Sequence, residues 1–153
     1  MTEEDIKIFA LSLGGAKCDY PFEDDFKTFV MRHSASKKGF GIYISAPVKS
    51  LLRDERGEKR EAIARFCGGK DNIFVVCLKC EPELSLVLQG NFNGVVPAYH
   101  MNKRHWISVI PGFDVPDGQI EQLITLSYDI TAARADKIQR KNKKSGIYAA
   151  INK

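Results

Sequence analysis

One ten-residue run of this chain concentrates side chains that suit contact with a nucleic acid. Residues 97–106 read Pro-Ala-Tyr-His-Met-Asn-Lys-Arg-His-Trp and place two cations, two imidazoles, an amide and two large aromatic rings together. Cations bind phosphate groups, and flat rings stack on bases or wedge between them. We therefore expect Lys103 and Arg104 to contact a phosphate backbone, although two solvated loop cations would give the same pattern.

The rings and the amide of this run each have a structural interpretation beside the functional one. Trp106 and Tyr99 suit base stacking, and they also suit anchoring at the edge of a core. His100 and Asn102 suit ligand contact, and they also suit a hydrogen-bonded structural role and the capping of a turn. His100 and His105 are five residues apart with no firm helix between them, so the sequence supports no shared metal.

The cysteines do not have the spacing of a metal site. The chain has four, Cys18, Cys67, Cys77 and Cys80, at irregular intervals. Cys77 and Cys80 are three apart in a predicted strand, where such positions point to opposite faces. No second Cys pair or Cys-His pair at zinc-ligand spacing accompanies them. We expect free, mostly buried thiols, with no disulfide framework, metal or cofactor.

Motifs of the common enzyme classes are also missing from the sequence. It contains no nucleophile elbow, P-loop, zincin motif or dinucleotide-binding glycine fingerprint. We therefore expect a protein that is not an enzyme.

Composition and charge place the chain among ordinary globular proteins. Hydrophobic residues make up 44% and charged residues 27% of its 153 positions, which fits one domain. No apolar run approaches the roughly 20 residues that span a bilayer. The first five residues are acidic, unlike the cationic start of a secretory signal, so we expect a cytoplasmic protein without a membrane segment.

Positive charge is concentrated near the C-terminus. Residues 134–153 carry seven Lys or Arg and the single acid Asp136, whereas residues 1–133 carry a slight excess of acids. A basic tail on a slightly acidic body is typical of contact with a polyanion, and also of a solvated terminus. We predict a single domain over 1–133 and a basic tail over 134–153. Tail cations such as Arg140 and Lys141 would add non-specific affinity for DNA.

The hydrophobic pattern predicts helices and strands without a regular βαβ alternation. We expect a helix at 3–13 capped by Thr2, strands at 26–32 and 39–44, a helix at 58–66, a buried strand at 73–78, a helix opened by residues 81–83, a strand at 106–110 and a long helix started by residues 114–117. In the helix after 82, the apolar face would comprise Leu84, Leu86, Val87 and Leu88. This order predicts an α+β two-layer sandwich, an antiparallel sheet with helices packed on one face.

Three phrases of the chain resemble the MmcQ/YjbR family. They are residues 76–83 (VCLKCEPE), residues 99–106 (YHMNKRHW), and Val115-Pro116-Asp117 followed by Leu123-Ile124 and Ser127-Tyr128. Tyr20-Pro21-Phe22 fits as well, so the resemblance runs from about 19 to 133 in the family's order. It implies a fold similar to CyaY, the bacterial frataxin, and a DNA-binding role described as a double-wing module. The segment 53–69 and the tail lie outside these phrases.

Together these features predict a small cytoplasmic protein that binds the phosphate backbone of duplex DNA without sequence preference. Lys79, at the end of the central strand, would join this site unless it is simply a lysine at the edge of the sheet. The predicted contact residues are Lys79, Tyr99, His100, Asn102, Lys103, Arg104, Trp106, Arg140 and Lys141. An alternative is a protein-binding or chaperone-like module whose exposed sheet face docks a partner or a second copy. A frataxin-like iron role would need an acidic ridge, for which Glu3-Glu4-Asp5 and Asp24-Asp25 are the only basis.

Overall fold

A computed structural model describes residues 1–132 of the chain. The elements, in order, are α1 (Glu3–Ser12), β1 (Ala16–Asp19), β2 (Phe29–His33), β3 (Gly39–Pro47), α2 (Val48–Leu52), α3 (Gly57–Cys67), β4 (Asn72–Lys79), α4 (Pro82–Asn91), β5 (Val95–Pro97), β6 (Trp106–Val109) and α5, which occupies 117–132. The basic tail, with Arg140 and Lys141, lies outside the described residues. No helix within 1–132 is long and apolar enough to cross a membrane.

The strands form one antiparallel sheet of six strands in the order β1-β2-β3-β4-β6-β5. β4 lies inside the sheet between β3 and β6, and four consecutive residues from Val75 to Leu78 are fully buried. Such a strand has no solvated face, which explains its continuous apolar run.

Alternating residues of the strands belong to two separate hydrophobic clusters, one on each face of the sheet. On the first face, Ile6 of α1 and Ile120 and Ile124 of α5 pack on sheet residues that include Phe29, Met31, Phe40, Val76, Leu78 and Ile107. On the second face, Leu51 of α2 and Ile63 of α3 pack on Ala46, Val75, Cys77, Val96 and Ile110. As far as residues 1–132 show, the second cluster includes no residue of β1 or β2.

The predicted α+β class with an antiparallel sheet is confirmed. The helical layer predicted for one face corresponds to α1 and α5, together with Leu88 of α4. The structure adds a smaller helical pair, α2 and α3, on the opposite face. The five-residue α2 has no amphipathic pattern long enough to be recognised, so the sequence did not predict a second helical layer.

Several local predictions are confirmed by the backbone geometry. Thr2 caps α1: its Oγ1 accepts a hydrogen bond from the Asp5 backbone N at 3.1 Å, and the Asp5 carboxylate accepts one from the Thr2 backbone N at 2.9 Å. The helix predicted at 58–66 is α3, which ends one residue later, at Cys67, where Gly68 adopts the left-handed conformation with φ 57°. Pro82 occupies the first turn of α4, where its missing N–H costs nothing.

Two local predictions are wrong. Leu86 and Val87 do not face the sheet: they are 73% and 56% exposed, whereas Leu88 is buried. With 3.6 residues per turn, three consecutive residues cannot share one helix face. The second strand begins at Phe29, three residues later than predicted, because the Asp25 carboxylate accepts hydrogen bonds from the backbone N of Lys27 and Thr28 and closes a turn there. The short strands β1 and β5 were not predicted.

Candidate nucleic-acid interface

The run 97–106 forms the end of β5, a loop over residues 98–105 (the β5–β6 loop) and the first residue of β6. Ser108 of β6 connects this loop to the sheet through a hydrogen bond. Its buried Oγ accepts a hydrogen bond from the Tyr99 backbone N at 2.9 Å and lies 3.2 Å from the Sγ of Cys77. Sequence reasoning missed Ser108, although strand alternation places it on the same face as Trp106.

Asn102 closes the turn within the β5–β6 loop. Its Oδ1 accepts hydrogen bonds from the backbone N of Arg104 at 2.9 Å and of His105 at 3.2 Å. Its backbone O accepts a third from Trp106 N at 3.0 Å. The side-chain oxygen of Asn102 is therefore engaged within the loop, which agrees with the turn-capping interpretation.

The two loop cations have different surroundings. Lys103 folds back over the loop, and its Nζ donates a hydrogen bond to Ala98 O at 2.8 Å. An ammonium group carries three donors, so this contact leaves two for a ligand. Arg104 is exposed, and its guanidinium makes no hydrogen bond or ion pair within residues 1–132. Arg104 is thus the more accessible of the two for phosphate contact.

A pocket of about 250 Å³ separates the β5–β6 loop from α2. Tyr99 is half-buried against the second-face cluster, and its ring lies 4.1 Å from that of the exposed His100. Together with Ser50, Arg53, Asp54 and Lys103, these two residues line the pocket. The pocket therefore combines two cations with one carboxylate.

Lys79 and Trp106 are directly paired across β4 and β6. The Nζ of Lys79 lies 5.9 Å from the centroid of the Trp106 ring, near the outer limit of a cation–π contact. Their neighbours Leu78 and Ile107 belong to the first-face core, so alternation places both side chains on the second face. The Lys79 backbone N donates to the buried Oγ of Ser127 at 2.9 Å, which fixes this end of β4 to α5.

The predicted site residues within 1–132 are therefore brought to one end of the sheet. Lys79 and Trp106 stand on the sheet itself, and Tyr99, His100, Asn102, Lys103 and Arg104 lie on the adjoining loop. Trp106 is half-buried.

Cys77 and Cys80 lie on opposite sides of the sheet, Cys77 in the second-face cluster and Cys80 in the first-face cluster. Burial raises the pKa of both thiols, that of Cys80 to about 11 with a further contribution from the Glu81 carboxylate. A neutral, buried thiol is a poor metal ligand and a poor nucleophile. Across residues 1–132, no three His, Cys, Asp or Glu side chains are grouped so that they could hold a metal ion.

Two of the five acidic residues considered for iron, Asp5 and Asp25, are engaged in local structure. The Asp5 carboxylate caps α1 and the Asp25 carboxylate closes the turn before β2. Hydrogen bonds from backbone and hydroxyl groups lower the pKa of both carboxyls. These contacts compete with any cation for the same carboxylate oxygens.

Comparison with known proteins gives consistent matches over most of the chain. The model of the YjbR family matches residues 11–130, a range that includes the segment 53–69. YyaQ of Bacillus subtilis, an uncharacterized protein, is 33% identical over 131 residues, which cover 86% of this chain and 98% of YyaQ. The crystal structure of a Pseudomonas syringae protein, structural genomics target PsR293, superposes with a TM-score of 0.68 at 28% identity over 86% of this chain and 99% of that protein. DR2400 of Deinococcus radiodurans, a DUF419 protein, shares the fold at a TM-score of 0.57 and 22% identity over 83% of this chain and 75% of its own.

Proposed function

We propose that this chain, which belongs to the YjbR family, is a non-catalytic DNA-binding protein that contacts the phosphate backbone of a duplex. The observation that carries the proposal is the grouping of three cations at one end of the sheet. Lys79 lies at the end of β4, and Lys103 and Arg104 lie on the adjoining β5–β6 loop. Cationic side chains of this kind supply most of the affinity of non-specific DNA binding.

The loop geometry supports phosphate contact in particular. The turn closed by Asn102 holds the backbone of Arg104, so the exposed guanidinium starts from a fixed position. A guanidinium can donate two parallel hydrogen bonds to a phosphate, and the remaining donors of Lys103 can add a third contact. Because these contacts read the phosphate and not the base edge, we expect little sequence preference.

The buried thiols support a non-catalytic role in a reducing compartment. Cys67, Cys77 and Cys80 are buried, and burial raises the pKa of each. No disulfide joins the cysteines, all of which fall within the described residues. Free thiols are usual in the cytoplasm, so a cytoplasmic location is part of the proposal.

The direct test neutralises the two loop cations together. We expect Lys103→Gln with Arg104→Gln to weaken binding to a random-sequence duplex, measured by fluorescence anisotropy at about 50 and about 200 mM salt. If both cations contact phosphates, the slope of log affinity against log salt should fall by up to about 1.8. Surface cations contribute little to stability, so the variant should fold normally.

A matched control removes two positive charges at another place on the surface. Arg65→Gln with Lys70→Gln removes the same two charges from exposed positions next to the start of β4, at the other end of that strand. A loop variant that binds like this control would refute the site.

A chain truncated after residue 133 tests the tail: binding lost with the tail would reduce the DNA role to that of a generic polycation.

The alternative of a protein-binding module is favoured by one observation. Among the residues that the structure describes, no helix residue packs on second-face side chains of β1 or β2 in the hydrophobic cluster of that face. Such a surface could dock a partner or a second copy of the chain. Sedimentation analysis of the protein tests docking of a second copy, and a monomer at all concentrations would exclude self-association.

A further inference from the structure

The second face of the sheet has a region that no helix within residues 1–132 covers, and we call it the open strip. It consists of second-face residues of β1, β2, β3, β4 and β6: Lys17, Asp19, Val30, Arg32, Gly39, Ile42, Lys79 and Trp106. All of them are partly exposed, whereas Val75 and Ile110, under α2 and α3, are buried. The strip adjoins the proposed DNA site through Lys79 and Trp106.

The strand register arranges the strip in two rows. In the outer row, Lys17 of β1 pairs with Arg32 of β2, and Arg32 pairs with Gly39 of β3, next to a β-bulge between Met31 and Arg32. The row continues with Lys79 of β4, which pairs with Trp106 of β6. Neighbouring strands are about 4.8 Å apart, so this row crosses about 19 Å of sheet from β1 to β6.

The inner row begins with an acid on β1 and is apolar on β2 and β3. Asp19 pairs with Val30, and Val30 pairs with Ile42. A Cβ added to Gly39 would lie 3.4 Å from Val30 Cγ1, so the glycine leaves the side of Val30 uncovered. The strip therefore presents an apolar centre between the Lys17–Arg32 pair and the Lys79–Trp106 pair.

The cations at the β1–β2 end are held in position by a carboxylate. Asp19 Oδ2 lies 3.1 Å from Arg32 Nε and 3.6 Å from Lys17 Nζ, and Arg32 Nη1 donates to Lys37 O at 3.1 Å. These contacts orient Arg32 before any ligand arrives. Three cations against one carboxylate leave the strip positively charged, because Lys79 adds to Lys17 and Arg32.

We propose that the open strip binds a single-stranded segment of nucleic acid laid across the strands from Trp106 to Lys17. The inference rests on the proposed function and extends its surface to residues outside the run 97–106. Phosphates would contact Lys79, Arg32 and Lys17, one base would stack on the accessible part of Trp106, and a neighbouring base would cover Val30 and Ile42.

The geometry favours a single strand over a duplex. Bases in a duplex are paired and stacked on one another, so a ring on a sheet surface cannot reach their faces. An unpaired strand exposes those faces, and aromatic rings beside cations bind it with little sequence preference.

The experiment compares a single-stranded thymidine oligonucleotide with a duplex of equal length on the full chain. Trp106 is the only tryptophan, so its intrinsic fluorescence reports contact at the strip directly. We expect the single strand, but not the duplex, to quench this emission. We expect Trp106→Phe to retain most of the single-strand affinity and Trp106→Ala to lose it, since stacking needs a ring.

Two charge variants test the far end of the strip. Lys17→Gln with Arg32→Gln should reduce the salt slope of single-strand binding by up to about 1.4, the contribution of two phosphate contacts. Asp19→Asn should strengthen single-strand binding, because it removes the carboxylate that competes with the phosphates. Unfolding would weaken binding in both variants, so stronger binding by Asp19→Asn and weaker binding by Lys17→Gln with Arg32→Gln cannot both result from a loss of folding. Circular dichroism checks the fold of each variant.

The outcomes separate this inference from the proposed function. If the strip variants bind the single strand like Arg65→Gln with Lys70→Gln, while Lys103→Gln with Arg104→Gln still weakens duplex binding, the strip inference fails and the proposed function stands. Equal losses for duplex and single strand would overturn the single-strand assignment. If the wild-type chain binds neither probe, both proposals fail.

Discussion

The two faces of the sheet differ in how completely helices cover them. On the first face, α1 and α5 bury a continuous layer in which the rings of Phe29, Tyr43 and Phe74 stack with centroids 5.2 and 4.9 Å apart. On the second face, the helices within residues 1–132 that pack on the sheet, α2 and α3, cover only part of β3 to β6. One face therefore stabilises the fold, and the other combines stabilisation with an accessible surface.

A single strand shows how the sequence divides these roles. In β2, Phe29, Met31 and His33 are buried on the first face, whereas Val30 and Arg32 are partly exposed on the second. Because side chains alternate along a strand, neighbouring residues in the sequence experience different environments. Mutations that differ by one or two positions should therefore have different consequences.

The largest contrast is expected between two aromatic residues. Phe40 is fully buried on the first face, and Phe40→Ala should lower the free energy of unfolding by about 3–5 kcal/mol. Trp106 is half-buried on the second face, so Trp106→Ala should cost less than that. Guanidinium unfolding followed by circular dichroism measures both. An equal cost would identify Trp106 as a core anchor and remove the basis for stacking.

A smaller contrast is expected between two glycines of β3. A Cβ at Gly41 would lie 2.3 Å from Met31 Cε and 3.0 Å from Leu78 Cδ2, both in the first-face core. Gly41→Ala should therefore destabilise the protein by about 1–3 kcal/mol through overpacking. At Gly39 the nearest atom is 3.4 Å away, so Gly39→Ala should be near neutral. Thermal unfolding of the two variants measures the difference, and a Gly39 variant as unstable as the Gly41 variant would show that the strip is not open.

The smallest effect is expected on the outer side of α4. Leu86 is 73% exposed, and Leu86→Ala should change the free energy of unfolding by less than about 0.5 kcal/mol. Leu88→Ala is the matched control, because Leu88 packs in the first-face cluster. Urea unfolding of the pair tests the corrected orientation of this helix. Similar losses for the two variants would mean that Leu86 packs against another surface.

Much of the fold was predictable because its elements carry strong local patterns. The capping residue Thr2, the apolar run of β4 and the amphipathic start of α5 each depend on neighbours within a few positions. Short elements such as β1 and β5, of four and three residues, contain too few positions for a period to be recognised. The position of α2 and α3 on the second face depends on contacts with strands, which no local pattern records.

The candidate site was predictable in part for the same reason. The composition of the run 97–106 indicates the loop directly, because its residues are contiguous. Turn capping by Asn102 was one of two interpretations that the sequence left open, and the contacts with Arg104 and His105 decide between them. The contact of Lys103 with Ala98 depends on the backbone path, so only the folded structure identifies it.

The sequence by itself determined the α+β class, the family, the principal elements and the cationic, aromatic loop. Only the tertiary structure decided that Lys17 and Arg32 share a surface with Lys79 and Trp106, which follow them by many tens of residues. Helix and turn patterns result from interactions between near neighbours, so they can be read along the chain. Strand order and register result from pairing between distant segments, so the surfaces they create exist only in the folded protein.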